Sequence, residues 1–231
     1  MQSKDRVMQQ WSADAVAFMR DASEYGSFYQ KLREILQPYL SKNDTVLDAG
    51  CGLGYLAQEI AGDCGRIVAA DRAEAAIEAM RQRDLPRNME IRSADVFMLS
   101  ERFDVLLCSY FGRSGEILHL RETLAPKKTI VIQRNCAEHR FSIGAAEDRH
   151  GWQGMDACLS ERGIPYDKRS VSLEFGQPFR SLADAVRFFN LYNKSACAVT
   201  EEAVAAKLIQ IKDEKYAFYL PQIREMNIYV F

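Results

Sequence analysis

The sequence predicts an α/β domain whose mostly parallel sheet is covered by helices on both faces. Two observations carry this. Five short, apolar, β-branched runs alternate with segments whose apolar residues recur at helical spacing. Runs of that kind, apolar without an in-out alternation, belong to strands covered on both sides. A repeated strand, helix, strand order then closes as a parallel sheet with right-handed crossovers.

Each element follows from its residues. Two helices are expected before the first strand, the second running to about Pro38 with Phe28, Leu32, Ile35 and Leu36 on one stripe. The strands are TVLDA (45–49), RIVAA (66–70), MEIRS (89–93), DVLLCSY (104–110) and KTIVIQ (128–133), all read as buried on both faces. Helices fall at 53–61, 73–83 and 114–124, the middle one aligning Ala73, Ala76, Ile77 and Met80. An irregular polar stretch (134–151) leads to a helix over 153–162 and an alternating strand, YDKRSVSLEF (166–175). Ser181 and Asp184 are candidate caps for a helix through DAVRFFNLY, followed by a helix over 200–211 and closing strands EKYAFYL and MNIYVF.

Bulk properties narrow the class. With 231 residues, 48% of them apolar, one substantial core and a single domain over 1–231 are expected. The net charge of −2, with Lys and Arg spread along the chain, lacks the basic stripe of a protein that grips phosphates, so no nucleic-acid partner is expected. The six cysteines are scattered, without a metal-ligand grouping, so no metal is expected and the thiols suit a reducing compartment. No signal-peptide pattern is visible, and no run approaches the roughly 20 apolar residues of a membrane span. These features lead us to expect a cytoplasmic protein with no membrane partner.

The chemistry concentrates in VLDAGCGLGYLAQEIA (46–61). Glycine removes the Cβ that would keep a ligand from backbone N–H groups, and the helix that follows favours an anion at its N-terminus. In a parallel sheet, such a turn after the first strand faces the ligand crevice. Gly50, Gly52 and Gly54 give G-x-G-x-G, with Asp48 already at the strand end and no Lys-Ser or Lys-Thr after Gly54. That is neither a P-loop nor a dinucleotide fingerprint, which counts against a nicotinamide oxidoreductase. Two more acids stand at successive strand ends. Asp71, 21 residues after Gly50, suits both hydroxyls of a ribose, and Asp95 suits an adenine amino group.

On these residues the chain resembles the class I S-adenosylmethionine-dependent methyltransferases. VLDAGCGLGYLA is similar to their first motif, VAADRAEAAIEAM to the acidic second and SADVF to the third. FDVLLCSY resembles their fourth strand and LRETLAPKKTIVIQ the helix, turn and strand that follow. The resemblance implies a Rossmann-like, doubly wound sheet of seven strands, mostly parallel with an antiparallel last strand, and an N-terminal helical lid. It divides the domain into a cap (1–43), a cofactor-binding core (44–133) and an acceptor-side half (134–231).

Residue by residue, it implies that Gly50, Cys51, Gly52 and Gly54 line the methionine end of S-adenosylmethionine, with Asp48 near its amino group. Asp71 would hold the ribose, Arg72 would lie along the adenine, and Asp95 with Val96 would read its edge. Ser109 and Tyr110 would approach the sulfonium, and Tyr25 of the lid would add an aromatic or hydroxyl contact. S-adenosylhomocysteine would be the product. One departure touches a loop only: the family's Gly-Gly turn before the fifth strand is replaced by APKK.

The acceptor is less marked. The [N/D]-P-P-[Y/F] of amino-methylating enzymes is replaced by CSYFGR, and Cys108, preceded by Leu107, has no Pro-Cys context and reads as core. A small-molecule acceptor, methylated at oxygen, nitrogen or carbon in a monomer or homodimer, is the expectation. A non-catalytic S-adenosylmethionine-binding or adaptor protein is the alternative. His139 and His150 are the candidate bases, and Arg113, Arg134 and Arg140 the candidate anion contacts. Trp11, Tyr25, Phe28 and Tyr29 are the aromatic residues of the lid, with packing as their competing explanation.

Overall fold

A computed structural model describes residues 11–136, 141–146 and 154–231. Its strands in chain order are β1 (Thr45–Ala49), β2 (Arg66–Asp71), β3 (Met89–Ser93), β4 (Val105–Ser109), β5 (Lys128–Arg134), β6 (Asp167–Glu174), β7 (Gln177–Phe179), β8 (Ile209–Gln210), β9 (Phe218–Leu220) and β10 (Ile223–Val230). Seven form one sheet in the order β3-β2-β1-β4-β5-β10-β6. The first five are mutually parallel, and β10 runs antiparallel to both β5 and β6. The expected seven-stranded sheet with an antiparallel last strand is therefore present.

The crossover helices are α3 (Tyr55–Ile60), α4 (Glu74–Arg81) and α5 (Ser114–Leu124). Strand side chains alternate between two cores. Val46, Ile67, Leu107 and Ile132 meet α3 and α4, whereas Leu47, Val68, Leu106 and Val131 meet α5. Burial on both faces explains why β1, β2, β4 and β5 read as unbroken apolar runs. MEIRS corrects that reading in one respect. As the sheet's edge, β3 is only half-buried, and its Glu90 and Arg92 lie in an ion-pair network with Arg66 and Glu101.

The N-terminal helices are α1 (Ala13–Tyr25) and α2 (Phe28–Leu36). Phe28, Leu32 and Leu36 of α2 are buried in the α3 side of the core, and each full burial contributes about 1.5–3 kcal/mol. Pro38 has no N–H to continue the helix, and the chain passes into a single 3₁₀ turn, Gln37–Tyr39. Helix α1 docks elsewhere. Its Phe18 meets Phe179 and Phe188 edge to face, in a third core built with α7 (Leu182–Tyr192) and α8 (Glu201–Ala205). A buried Asp21 accepts two hydrogen bonds from Arg180, at 2.6 and 3.0 Å, and ties α1 to the insertion between β6 and β10 (175–222) that carries α7 and α8.

The second half departs most from expectation. The reading of a helix over 200–211 is corrected: α8 ends at Ala205, and Ile209–Gln210 is strand β8. β8 joins β7 and β9 in a separate three-stranded sheet, so EKYAFYL contributes to that sheet and not to the main one. β7 was hidden by Pro178, a residue that argues against a strand in sequence yet is tolerated on an edge. Helix α6 (Met155–Glu161) and helix α7 fall where expected, and Ser181 caps α7 by accepting the Asp184 N–H at 3.1 Å.

Candidate functional site

The site lies where β1, β2 and β4 end. The chain leaves β1 through Gly50, Gly52 and Gly54 with φ of +68°, +54° and +70°, a region costly for any residue with a Cβ. The Gly50 and Cys51 N–H groups both donate to the Ala70 carbonyl, at 2.8 and 3.1 Å, fastening the turn to β2. A methyl group on Gly50 would stand 1.9 Å from Phe111 Cδ2, and one on Gly52 would stand 2.9 Å from Trp11 Cζ2. Two aromatic rings thus rest directly on the bare turn. Gly54 has a different role: its Cα packs against Met80 of α4 while it caps α3.

Asp71, the last residue of β2, accepts the Gly52 N–H through one carboxylate oxygen and the Ala73 N–H through the other, both at 2.8 Å. Those bonds leave lone pairs on each oxygen and hold the carboxylate in one orientation at the rim of the turn. Asp48 is its opposite. It is 2% exposed, no hydrogen bond to its carboxylate is present among the described residues, and burial with Asp71 nearby pushes its pKa up to about 7. A buried carboxylate without a donor is suited to a cationic ligand group. Burial, reinforced by Asp48 and Asp71, raises the Cys51 thiol well above its ordinary value, so Cys51 is a neutral wall.

The remaining expected residues line the same edge. Asp95 caps a short 3₁₀ turn by accepting the Phe97 N–H at 3.1 Å, with Val96 buried beside it and Arg72 exposed after β2. Ser109 ends β4. Tyr110 follows with φ +52°, its N–H bonded to the Ile132 carbonyl and its hydroxyl 3.5 Å from Met226 Sδ. Tyr25 packs instead edge to face against Tyr216 and at a tilt against Tyr219, at 5.5 and 5.3 Å between ring centroids, and Trp11 is the lid residue in contact with the glycine turn. His139, His150 and Arg140 lie outside the described residues.

Three contributors were not foreseen from sequence. Phe111, within the quoted CSYFGR, covers Gly50. Arg83 donates to the Leu53 carbonyl and lies 3.9 Å from the centre of the Tyr55 ring, bracing the start of α3. Arg224 of β10 stands over Phe175, Tyr110 and Phe28 at 4.0, 5.4 and 5.5 Å. Apart from the adjacency of Phe111 to Tyr110, no local signal marks them, because each meets its partners only across the fold. Among the described residues no cluster suited to a metal ion occurs, and no helix is long and apolar enough to cross a membrane.

Comparisons with known proteins bear on the fold and the family. A family model described as a methyltransferase domain matches residues 40–161, just over half of the chain. None of the curated proteins matches it in sequence. Among solved structures, the YcgJ protein of Bacillus subtilis is similar with a TM-score of 0.55 at 11% identity, over 87% of this chain and 97% of that one. A proposed methyltransferase from Bacillus halodurans gives 0.52 at 14% identity, over 89% and 97%, and a Deinococcus radiodurans protein of unknown function gives 0.50 at 15%, over 92% and 96%. At these identities the solved structures speak for the fold, and the family model for the lineage. The chain belongs to the class I S-adenosylmethionine-dependent methyltransferase family.

Proposed function

We propose that the protein transfers a methyl group from S-adenosylmethionine to a small molecule, with S-adenosylhomocysteine as product. The observation that carries this is Asp48: a buried carboxylate with no donor among the described residues, beside a turn whose glycines admit a ligand against the backbone. The residues fit such a cofactor. Asp48 supplies a counter-charge for its ammonium group, Asp71 acceptors for the ribose hydroxyls and the Asp95–Val96 turn the adenine edge. Gly50, Cys51 and Gly52 supply the bare wall, Gly54 the tight turn into α3 against Met80, and Ser109 and Tyr110 the side toward the methyl group.

When bound, S-adenosylmethionine supplies an already activated methyl group. The chain's own contribution is therefore alignment and exclusion of water. Trp11 and Phe111 cover the turn, and the rings around Tyr110 close the edge beside it. An acceptor held there needs a lone pair in line with the methyl carbon and a place for any proton it releases. Tyr110, at the end of β4, is a candidate hydroxyl for that role, and His139 and His150 are the candidate imidazoles.

A turnover assay tests this: S-adenosylhomocysteine release is followed with and without a library of small hydroxyl, amine and activated-carbon compounds. Release that depends on one acceptor class supports the reading. Tight cofactor binding with no release for any compound favours the non-catalytic alternative.

A further inference from the structure

Arg224 stands at an informative place. Met226 pairs with Arg134, the last residue of β5, so Arg224, two residues earlier on β10, reaches past the end of the parallel strands to the ligand edge. It shares a sheet face with Met226 and Ile228, the face covered by α2 and α3. There its guanidinium is framed by Phe175, Tyr110 and Phe28. Tyr110 holds its ring in that frame from a left-handed backbone conformation, which is strained for a residue with a side chain.

Aromatic faces attract a guanidinium, but they supply no acceptor for its in-plane N–H donors. Among the described residues neither a carboxylate nor any other hydrogen-bond partner meets those donors. Tyr29 is close enough to sense Arg224: burial raises its pKa and Arg224 lowers it, and Tyr29 also feels Asp48. The edge thus carries opposite charges at its two ends. Carboxylates Asp48, Asp71 and Asp95 stand on the β1–β3 side, where a cationic cofactor is expected, and an uncompensated guanidinium fork stands on the β10 side. That fork matches a carboxylate or a phosphate through two parallel hydrogen bonds.

We infer that Arg224, framed by Phe28, Tyr110 and Phe175, is the anion-recognition residue of the acceptor site, so that the methyl acceptor is a small organic molecule bearing a carboxylate or phosphate group. This rests on the methyl-transfer reading of the same edge. Arg113, Arg134 and Arg140, the anion contacts expected from sequence, are not required for it.

The test uses the full chain saturated with S-adenosylhomocysteine and titrated calorimetrically with 4-hydroxybenzoate, indole-3-acetate and phenyl phosphate. Each is paired with a neutral counterpart: 4-hydroxybenzamide, indole-3-acetamide and phenol. The expected result is that at least one anion binds about tenfold or more tightly than its counterpart, that Arg224→Gln erases the preference, and that Arg224→Lys keeps part of it. Equal binding of anions and neutral compounds, or an unchanged preference in Arg224→Gln, would overturn the inference. Should Arg224→Gln fail to fold, the wild-type comparison of charged with neutral probes decides alone. Absence of S-adenosylhomocysteine binding sinks the cofactor reading and this inference together, whereas binding of it without any anion preference sinks the inference only.

Discussion

The two ends of the ligand edge are built by opposite means. On the β1–β3 side, carboxylates and backbone N–H groups within residues 48–95 create the site, fixed by the bonds from Gly50, Cys51 and Gly52 to β2. On the β10 side, aromatic rings from α2, the end of β4, the end of β6 and a guanidinium from β10 meet from positions as far apart as 28 and 224. The first arrangement is a property of short sequence, so the same turn can recur wherever this lineage occurs. The second exists only once the main sheet and the cap have assembled, which is where acceptor preference can vary without disturbing the cofactor side.

The comparison can be broken first at the turn. Gly50→Val would place a branched side chain in left-handed backbone and against the Phe111 ring, so cofactor binding should fall below detection while the fold loses on the order of 1–3 kcal/mol. Calorimetry and a denaturant melt check both. Asp71→Ala is the next largest effect. It leaves the Gly52 and Ala73 N–H groups without their acceptor and removes the expected ribose contact, for a loss of about 1–3 kcal/mol in cofactor affinity. Unchanged affinity in that variant would mean that the site is misplaced.

The pH dependence of Asp48 is a subtler test. Its carboxyl is raised from 3.8 to about 7 in the fold, so the folded state holds a proton that the unfolded chain has released. The stability associated with that proton is fully present below the unfolded value and is lost as pH rises through about 7. The free protein should therefore weaken over that window, and Asp48→Asn should flatten the trend. A cation bound beside Asp48 favours the charged form. Cofactor affinity should accordingly rise with pH up to about 7 and level off above it, by at most about tenfold per pH unit. Asp48→Asn should abolish that dependence.

The smallest effect belongs to the insertion. Arg180→Gln leaves the buried Asp21 carboxylate without its main partner, although Lys215 stands 3.7 Å away and Arg180 is itself largely exposed. Arg180 holds the Asp21 pKa down against the opposing effect of burial. A loss of about 1–2 kcal/mol is expected, with little change in cofactor affinity, since α1 would loosen from the insertion and not from the turn. A large drop in affinity would instead show that the insertion positions Trp11 on Gly52.

How much was legible in sequence follows the same division. TVLDA and 114–124 were placed to the residue, because buried parallel strands and their crossovers impose local patterns, and MEIRS was placed to the residue although as the edge strand it is only half-buried. The turn was legible because three alternating glycines meet a backbone requirement that is local as well. Arg224 falls between the two closing strands expected from sequence, EKYAFYL and MNIYVF, and nothing nearby in sequence announces that β10 begins at Ile223 or that Phe28 and Phe175 will frame it. The small sheet was missed for a related reason. Three strands of two or three residues, one containing Pro178, are too short to show a period, and tertiary pairing alone makes them strands.

Calorimetric titration of the purified chain with S-adenosylmethionine, S-adenosylhomocysteine and, as control, NADH tests the central claim most directly. Binding of the first two at micromolar concentration, with none of the third, is the predicted result. Failure of both sulfur compounds to bind, or equal binding of NADH, would contradict the assignment of the glycine turn, Asp48 and Asp71 to that cofactor.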